Sequence, residues 1–128
     1  MSPLDIWVVE DNDQNFDLVD YLLGEAGHRV VRSRDGDELA ALVDSGAAAP
    51  DVVLLDINLP TGSGLDLVPR LRETPGGDAV PIVVVTAHAM RGDRERFLAA
   101  GCAGYISKPI ETARFVAEVE RYATGART

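Results

Sequence analysis

Chemically reactive side chains stand directly after several short, mainly apolar runs of this sequence. Glu10 and Asp11 follow the first run, Asp56 follows the central one, and Thr86 and Lys108 follow the last two. Carboxylate, hydroxyl and ammonium groups are the kinds of group that bind a metal ion and a phosphoryl group together. The chemistry of the protein then depends on whether the fold brings these five side chains to one place.

Three carboxylates at one place repel each other, and they stay ionised at low cost only where a cation neutralises them. Their ligand atoms are all oxygens, which favours a hard cation, Mg²⁺ or Mn²⁺. The carboxylate of Asp56 can act as a nucleophile and form an aspartyl phosphate. The ammonium group of Lys108 and the hydroxyl group of Thr86 would hold the other phosphoryl oxygens. These residue types predict a phosphoryl-accepting site.

Strand and helix patterns alternate along the chain and would position these residues. Five short runs predict strands, at residues 6–9, 30–31, 52–55, 81–85 and 105–107, and a helical pattern follows each one. Runs that are apolar at every position indicate strands covered on both faces. Right-handed crossovers then give a doubly wound α/β fold, a five-stranded parallel sheet with helices on both sides. Such sheets bind ligands at the carboxyl ends of their strands.

Local signals set the expected helix boundaries. Asn12 and Asp13 offer oxygens that cap the first helix, which Gly27 ends. Pro69 lies inside the third helical pattern, where the loss of one backbone hydrogen bond predicts a kink. Residues 61–64 predict a flexible loop, and residues 124–128 predict a polar tail.

The composition narrows the class of protein. The chain has 128 residues, which is long enough for one domain to bury a core. Its net charge of -9 should repel nucleic acid. No apolar run approaches the ~18 residues needed to cross a membrane, and no signal peptide is apparent. The single cysteine, Cys102, cannot form an internal disulfide. We expect a cytoplasmic protein with no nucleic-acid partner and no membrane insertion.

Four motifs resemble the receiver domain of two-component response regulators. They are found at residues 8–12, 54–60, 84–87 and 107–109, in the order that the family shows, and the resemblance covers nearly the whole chain. It implies a (βα)5 flavodoxin-like fold with strand order 2-1-3-4-5. We expect one stand-alone receiver domain over residues 1–128, with a core at about 4–123 and no output domain. A receiver cut from a larger regulator is the alternative.

The resemblance assigns phosphoryl transfer to Asp56, with a histidine kinase or a histidine phosphotransfer protein as the donor. Asp11 and Asp56 would ligate Mg²⁺ directly, together with the backbone carbonyl of Asn58, and Glu10 would act through water. The loop after Pro60 departs from the family's pattern, in which a bulky residue precedes Asp-Gly.

The resemblance also implies a signalling switch rather than an enzyme. Thr86 and Lys108 would grip the phosphoryl group, Tyr105 would report the change, and the peptide bond before Pro109 would be cis. The surface of the last two helices and the last strand would then change for a downstream protein target. Residues 87–90 favour the cell-division type over the chemotaxis type, and we expect His88 to be a solvent-facing loop residue.

A phosphodonor protein must reach Asp56, so we expect it to dock beside the first helix. The residues expected at this contact are Asn15, Phe16, Leu18 and Ile110.

Two other classes remain open. An aspartate-nucleophile phosphohydrolase would resemble an Asp-x-Asp pattern, whereas Asn58 stands at the position of the second acid. A flavin-binding module on the same fold would need a loop rich in Ser and Thr after the first strand, where residues 10–13 are mainly acidic.

Overall fold

The computed structural model describes residues 2–60, 62–87 and 90–125, so His88 lies outside the described residues. Its central sheet is parallel and consists of β1 (Asp5–Val9), β2 (Arg29–Ser33), β3 (Val52–Asp56), β4 (Ile82–Thr86) and β5 (Gly104–Ser107). The strands lie in the order β2-β1-β3-β4-β5. This confirms the predicted fold class and strand order.

Helices cover both faces of the sheet. They are α1 (Asp13–Glu25), α2 (Gly36–Asp44), α3 (Val68–Arg72), α4 (Asp93–Ala99) and α5 (Phe115–Ala123). Side chains of α1 and α5 pack with one set of strand residues, and side chains of α2, α3 and α4 pack with the other set. None of these helices is long and apolar enough to span a membrane.

The alternation of side chains along the strands produces these two core layers. In β1, Ile6 and Val8 face α1 and α5, whereas Trp7 and Val9 face α2, α3 and α4. Every residue of β3 and β4 is buried, which is the pattern expected for central strands of a sheet covered on both faces. The end of β3, where Asp56 stands, is therefore held rigidly.

Most of the predicted helix boundaries are confirmed, but the interpretation of Pro69 was wrong. Asn12 caps α1 by accepting a hydrogen bond from the N–H of Asn15, and Gly27 follows the helix with a φ of 90°. Pro69 lies in the first turn of α3, after a 3-10 turn over Gly64–Leu67. Because a first-turn N–H needs no partner within the helix, proline fits there without causing a kink.

Short paired segments follow Asp56 where the sequence predicts a flexible loop at residues 61–64, of which Thr61 lies outside the described residues. Asn58–Leu59 pairs antiparallel with Gly62–Ser63. The N–H of Gly64 then donates to the carbonyl of Ile57 at 2.7 Å. A Cβ atom at Gly64 would lie 1.9 Å from the carbonyl oxygen of Asp56, so only glycine allows this approach.

The last strand ends in a cis bond between Lys108 and Pro109, as the resemblance implies.

Gly64→Ala should destabilise the fold by more than about 2 kcal/mol, because the backbone behind Asp56 must move to admit the methyl group. Gly24→Ala is the matched control, since a Cβ atom at this α1 position meets nothing within 4 Å. It should stabilise the protein by about 0.5 to 1 kcal/mol. Urea unfolding of both variants measures these changes, and equal effects would contradict the assigned backbone contact.

Candidate functional site

Three acidic side chains meet at the carboxyl edge of the sheet. Carboxylate oxygens of Glu10, Asp11 and Asp56 all lie within 4.8 Å of one another. Val9 pairs with Leu55, so the residues that follow them stand side by side on neighbouring strands. Glu10 and Asp56 are buried, whereas Asp11 is exposed. The convergence expected from the strand ends is therefore present.

Lys108 brings a positive charge to this cluster from the far strand β5. Its Nζ atom donates to Oε1 of Glu10 at 2.8 Å and lies 3.6 Å from Oδ2 of Asp56. The backbone N–H of Lys108 also donates to the carbonyl of Thr86 at 2.8 Å, which fixes the end of β5 against β4. The strongest contact of Lys108 is thus with Glu10, which the sequence did not indicate.

Glu10 is held at four of its atoms. Its N–H donates to the carbonyl of Ser33, and its own carbonyl accepts from Nε of Arg32 at 3.1 Å. Its two carboxylate oxygens accept from Lys108 and from the N–H of Asn12, the latter at 3.2 Å. This acid is therefore fixed from the adjacent strand β2, from Lys108 at the end of the far strand β5, and from its own loop.

The charge balance of the site alters the protonation of Asp56. Burial, followed by the negative charge of Glu10, raises the pKa of Asp56 from its usual value of 3.8 to about 6. Lys108 and the backbone N–H of Asn58, which donates to Oδ1 of Asp56 at 3.2 Å, oppose this rise. A bound cation would favour the ionised, nucleophilic form, because it offsets the repulsion between the acids.

Thr86 and Tyr105 occupy neighbouring strands beside the cluster. Thr86 is buried at the end of β4. Tyr105 on β5 is half-buried, and its ring meets the ring of Phe97 on α4 edge to face, with centroids 5.9 Å apart. Tyr105 therefore links the strand that carries Lys108 to helix α4.

The expected docking residues differ in how far their side chains are exposed to solvent. Leu18 is 38% exposed on α1, and Asn15 and Ile110 are half-buried. Phe16 is also half-buried, and the Arg32 guanidinium covers one face of its ring at 4.5 Å from the centroid. Phe16 thus offers less surface to a partner than the sequence suggests.

The sequence analysis assigned no role to Arg32, although it touches the acidic loop. Besides Glu10, it contacts Oδ1 of Asp13 through a terminal nitrogen at 2.9 Å. Arg32 pairs with Val8, one position before the strand ends. A basic residue at that position, next to a strand that ends in two acids, is the signal from which this contact could have been inferred.

Comparisons with known proteins agree with this geometry. The protein-family model described as the response regulator receiver domain matches residues 6–120 of this chain. The polar-differentiation response regulator DivK of Brucella anthropi is 39% identical over 120 residues, which cover 94% of this chain and 96% of DivK. DivK of Brucella ovis is 39% identical over 117 residues, which cover 91% of this chain and 94% of that protein.

Solved structures show the same similarity. The receiver domain of the sensor histidine kinase PA1611 from Pseudomonas aeruginosa has a magnesium ion coordinated in its active site cleft. It is 31% identical, with a TM-score of 0.82, over 97% of this chain and 100% of that one. A response regulator from Chloroflexus aurantiacus is 27% identical, with a TM-score of 0.84, over 96% and 99% of the two chains.

The raised pKa of Asp56, about 6, predicts a pH-dependent stability in a chelating buffer. Protonated Asp56 stabilises the fold at pH values below its unfolded pKa, and this stabilisation is lost as pH rises through the folded pKa. Between about pH 4 and pH 7, the free energy of unfolding of the wild-type protein should fall by about 1 to 2 kcal/mol relative to that of Asp56→Asn. Urea unfolding across this range measures the difference. Parallel curves of unfolding free energy against pH for wild type and Asp56→Asn would contradict the assigned repulsion. Asp17→Asn, which alters an exposed acid, is the control and should follow the wild-type curve.

Proposed function

The chain belongs to the response regulator receiver domain family, and from this premise we propose that Asp56 accepts a phosphoryl group from a histidine kinase or a histidine phosphotransfer protein. The convergence of Glu10, Asp11 and Asp56 with Lys108 supports this role most directly. In the transfer, a carboxylate oxygen of Asp56 bonds to phosphorus while the bond from phosphorus to the donor's imidazole nitrogen breaks.

The acidic cluster fits Mg²⁺ or Mn²⁺, because its donor atoms are all oxygens and they lie within 4.8 Å of one another. We propose Asp11, Asp56 and the carbonyl of Asn58 as direct ligands, with Glu10 acting through water. The bound ion would offset negative charge on the acids and on the incoming phosphoryl oxygens. Lys108 and Thr86 would donate hydrogen bonds to phosphoryl oxygens that the ion does not reach.

The receiver role is favoured over the two other classes. Asn58 follows Asp56 at the position where a phosphohydrolase of the Asp-x-Asp type would carry its second acid. The mainly acidic residues 10–13 after β1 would repel the phosphate of a flavin cofactor. We therefore propose a signalling role without turnover of a small substrate.

We propose that the protein is a stand-alone receiver that acts in the cytoplasm. The DivK relatives, which are matched over 94% to 96% of their own length, support the stand-alone form. The free, buried Cys102 is in keeping with a reducing compartment.

Incubation with acetyl phosphate and Mg²⁺ should add one phosphoryl group to the wild-type protein, because Asp56 is the proposed acceptor and its carboxylate lies within reach of Lys108 and the proposed metal ligands. Intact-protein mass spectrometry detects the addition. Asp56→Asn should abolish it, whereas Asp66→Asn, an exposed acid in the turn after the same strand, should leave it unchanged. Phosphorylation of Asp56→Asn to the wild-type level would contradict the proposed acceptor.

Helix α1 offers a docking surface for the phosphodonor protein. Its exposed face carries the apolar side chains Leu18 and Tyr21, which are 38% and 64% exposed. Asp17 and Asp20 are exposed on the same helix. A partner with apolar contacts and basic residues around its phosphohistidine fits this surface, since complementary charge steers association.

Asn15→Arg and Leu18→Arg should therefore slow transfer from a phosphorylated histidine phosphotransfer protein by tenfold or more. This is roughly the effect of losing one residue that anchors an interface. Phosphorylation by acetyl phosphate should stay at the wild-type rate. Val31→Arg, which alters an exposed apolar residue of β2, is the matched control. Transfer that is equally fast to all of these proteins would place the docking surface elsewhere.

We propose that phosphorylation switches the surface of α4, β5 and α5 toward a downstream protein. The phosphoryl group adds about two negative charges at the sheet edge, toward which Thr86 would move. Tyr105 could then turn inward, which would alter its contact with Phe97. Phe97 is the buried residue of α4, so this helix is weakly anchored and can repack.

Hydrogen exchange with a beryllofluoride mimic at Asp56 should change protection within residues 90–110, because these include α4 and β5. Thr86→Ala should remove the change while the mimic still binds. Protection changes confined to α1, with residues 90–110 unaltered, would contradict the proposed switch surface.

A further inference from the structure

Asp11 is the acid of the cluster that has no anchor of its own. Its side chain is exposed, and it makes no hydrogen bond or ion pair within the part of the chain that the structure describes. The direction of its carboxylate must therefore be set by the two peptide groups that flank it. The carbonyl of the preceding peptide belongs to Glu10, and the N–H of the following one belongs to Asn12.

Both flanking peptide groups are held. The N–H of Asn12 donates to Oε2 of Glu10 at 3.2 Å. The carbonyl of Glu10 accepts from Nε of Arg32 at 3.1 Å. The edge strand β2 also binds the N–H of Glu10 through the carbonyl of Ser33, but the contact with Arg32 is the one that reaches the carbonyl before Asp11. It therefore ties the orientation of the peptide before Asp11 to the sheet.

The surroundings of Arg32 keep its guanidinium group in place. One terminal nitrogen bonds to Asp13 at 2.9 Å, and the plane lies over the ring of Phe16 at 4.5 Å from its centroid. The side chain is 14% exposed. Asp13 and Phe16 both belong to the first turn of α1, so Arg32 joins β2, the acidic loop and the start of the helix.

This arrangement is poorly explained by stability alone. The other terminal nitrogen of Arg32 is buried and has no hydrogen-bond partner among the described residues. A buried polar group without a partner costs stability, and a partly buried ion pair contributes little net stability. Stability alone therefore does not account for the guanidinium group, and its contact with the Glu10 carbonyl points to a positioning role.

We propose that Arg32 is a positioning residue that directs the Asp11 carboxylate toward Asp56 and so sets the affinity of the acidic cluster for a divalent cation. This inference rests on the proposed metal site. A guanidinium group can donate in two fixed directions and lie flat on an aromatic ring at the same time, whereas a lysine ammonium group cannot. Arg32 acts through the backbone, without touching the ion.

The charge of Arg32 should act in the opposite direction, because a cation close to the site repels Mg²⁺. If charge alone mattered, Arg32→Gln would strengthen Mg²⁺ binding and Arg32→Lys would leave it unchanged. If positioning matters more, both variants weaken binding. The two accounts therefore predict opposite effects for Arg32→Gln, and only the positioning account predicts weaker binding for Arg32→Lys.

The test is a calorimetric titration of the full chain with Mg²⁺ at low salt. Arg32→Lys and Arg32→Gln should each bind about tenfold more weakly than wild type, the usual effect of losing a residue that orients a ligand. Arg34→Gln is the matched control, because Arg34 also bonds to Asp13 but does not contact Glu10. Arg34→Gln removes the same charge, and its affinity for Mg²⁺ should stay within about twofold of the wild-type affinity.

Three further readouts separate positioning from a general loss of structure. The unfolding midpoints of the Arg32 variants should stay within about 4 °C of wild type. Without metal, amide NMR shifts should change at residues 10–13 while those of β4 remain unchanged. At saturating Mg²⁺, phosphorylation by acetyl phosphate should return to the wild-type rate.

Unchanged or tighter Mg²⁺ binding by Arg32→Lys and Arg32→Gln would overturn the inference and leave the receiver function standing. Weaker binding by Arg34→Gln to the same extent would also overturn it, since charge near Asp13 would then explain the effect. A wild-type protein that neither binds Mg²⁺ nor takes up a phosphoryl group would overturn the proposed function together with the inference.

Discussion

Electrostatic repulsion at one edge of the sheet is the constraint on which the rest of the structure depends. Three carboxylates share a site that burial partly removes from water, and Lys108 is the cation in direct contact with two of them. The pKa of Asp56 accordingly rises to about 6. A site of this kind is incomplete without further positive charge, which a divalent ion can supply. The divalent ion of the proposed receiver chemistry would relieve the repulsion that the fold creates.

The fold sustains this repulsion because the elements that carry the acids cannot move apart. Asp56 ends a strand that is buried at every position, and the paired segments after it press Gly64 against its carbonyl. Glu10 is fixed at four atoms, including a contact to Arg32 on the neighbouring strand. On the other side of the site, helix α4 buries Phe97 among its described residues. This division suits the proposed switch, in which one side holds the charge and the other side would respond.

Features that depend on neighbouring residues along the chain could be predicted from the sequence. The apolar run before Asp56, the capping oxygen of Asn12 and the stop at Gly27 each act locally, and strand ends converge in any parallel sheet. Features that depend on distant residues could not. The first-turn position of Pro69 reflects where the 3-10 turn ends, and the contact of Glu10 with Lys108 joins residues from separate strands. Their partners follow from the tertiary structure, which no local pattern encodes.

The account's central claim is that burial and the negative charge of Glu10 raise the pKa of Asp56 to about 6, so that near this pH a divalent ion displaces a proton from Asp56 when it binds. Calorimetric titration with Mg²⁺, in buffers of different ionisation enthalpy, counts the protons released on binding. At a pH near the Asp56 pKa of about 6, wild type should release about half a proton per ion, falling toward zero by pH 8. Asp56→Asn should release none. Binding at pH 6 without proton release, or equal release from wild type and Asp56→Asn, would contradict the account.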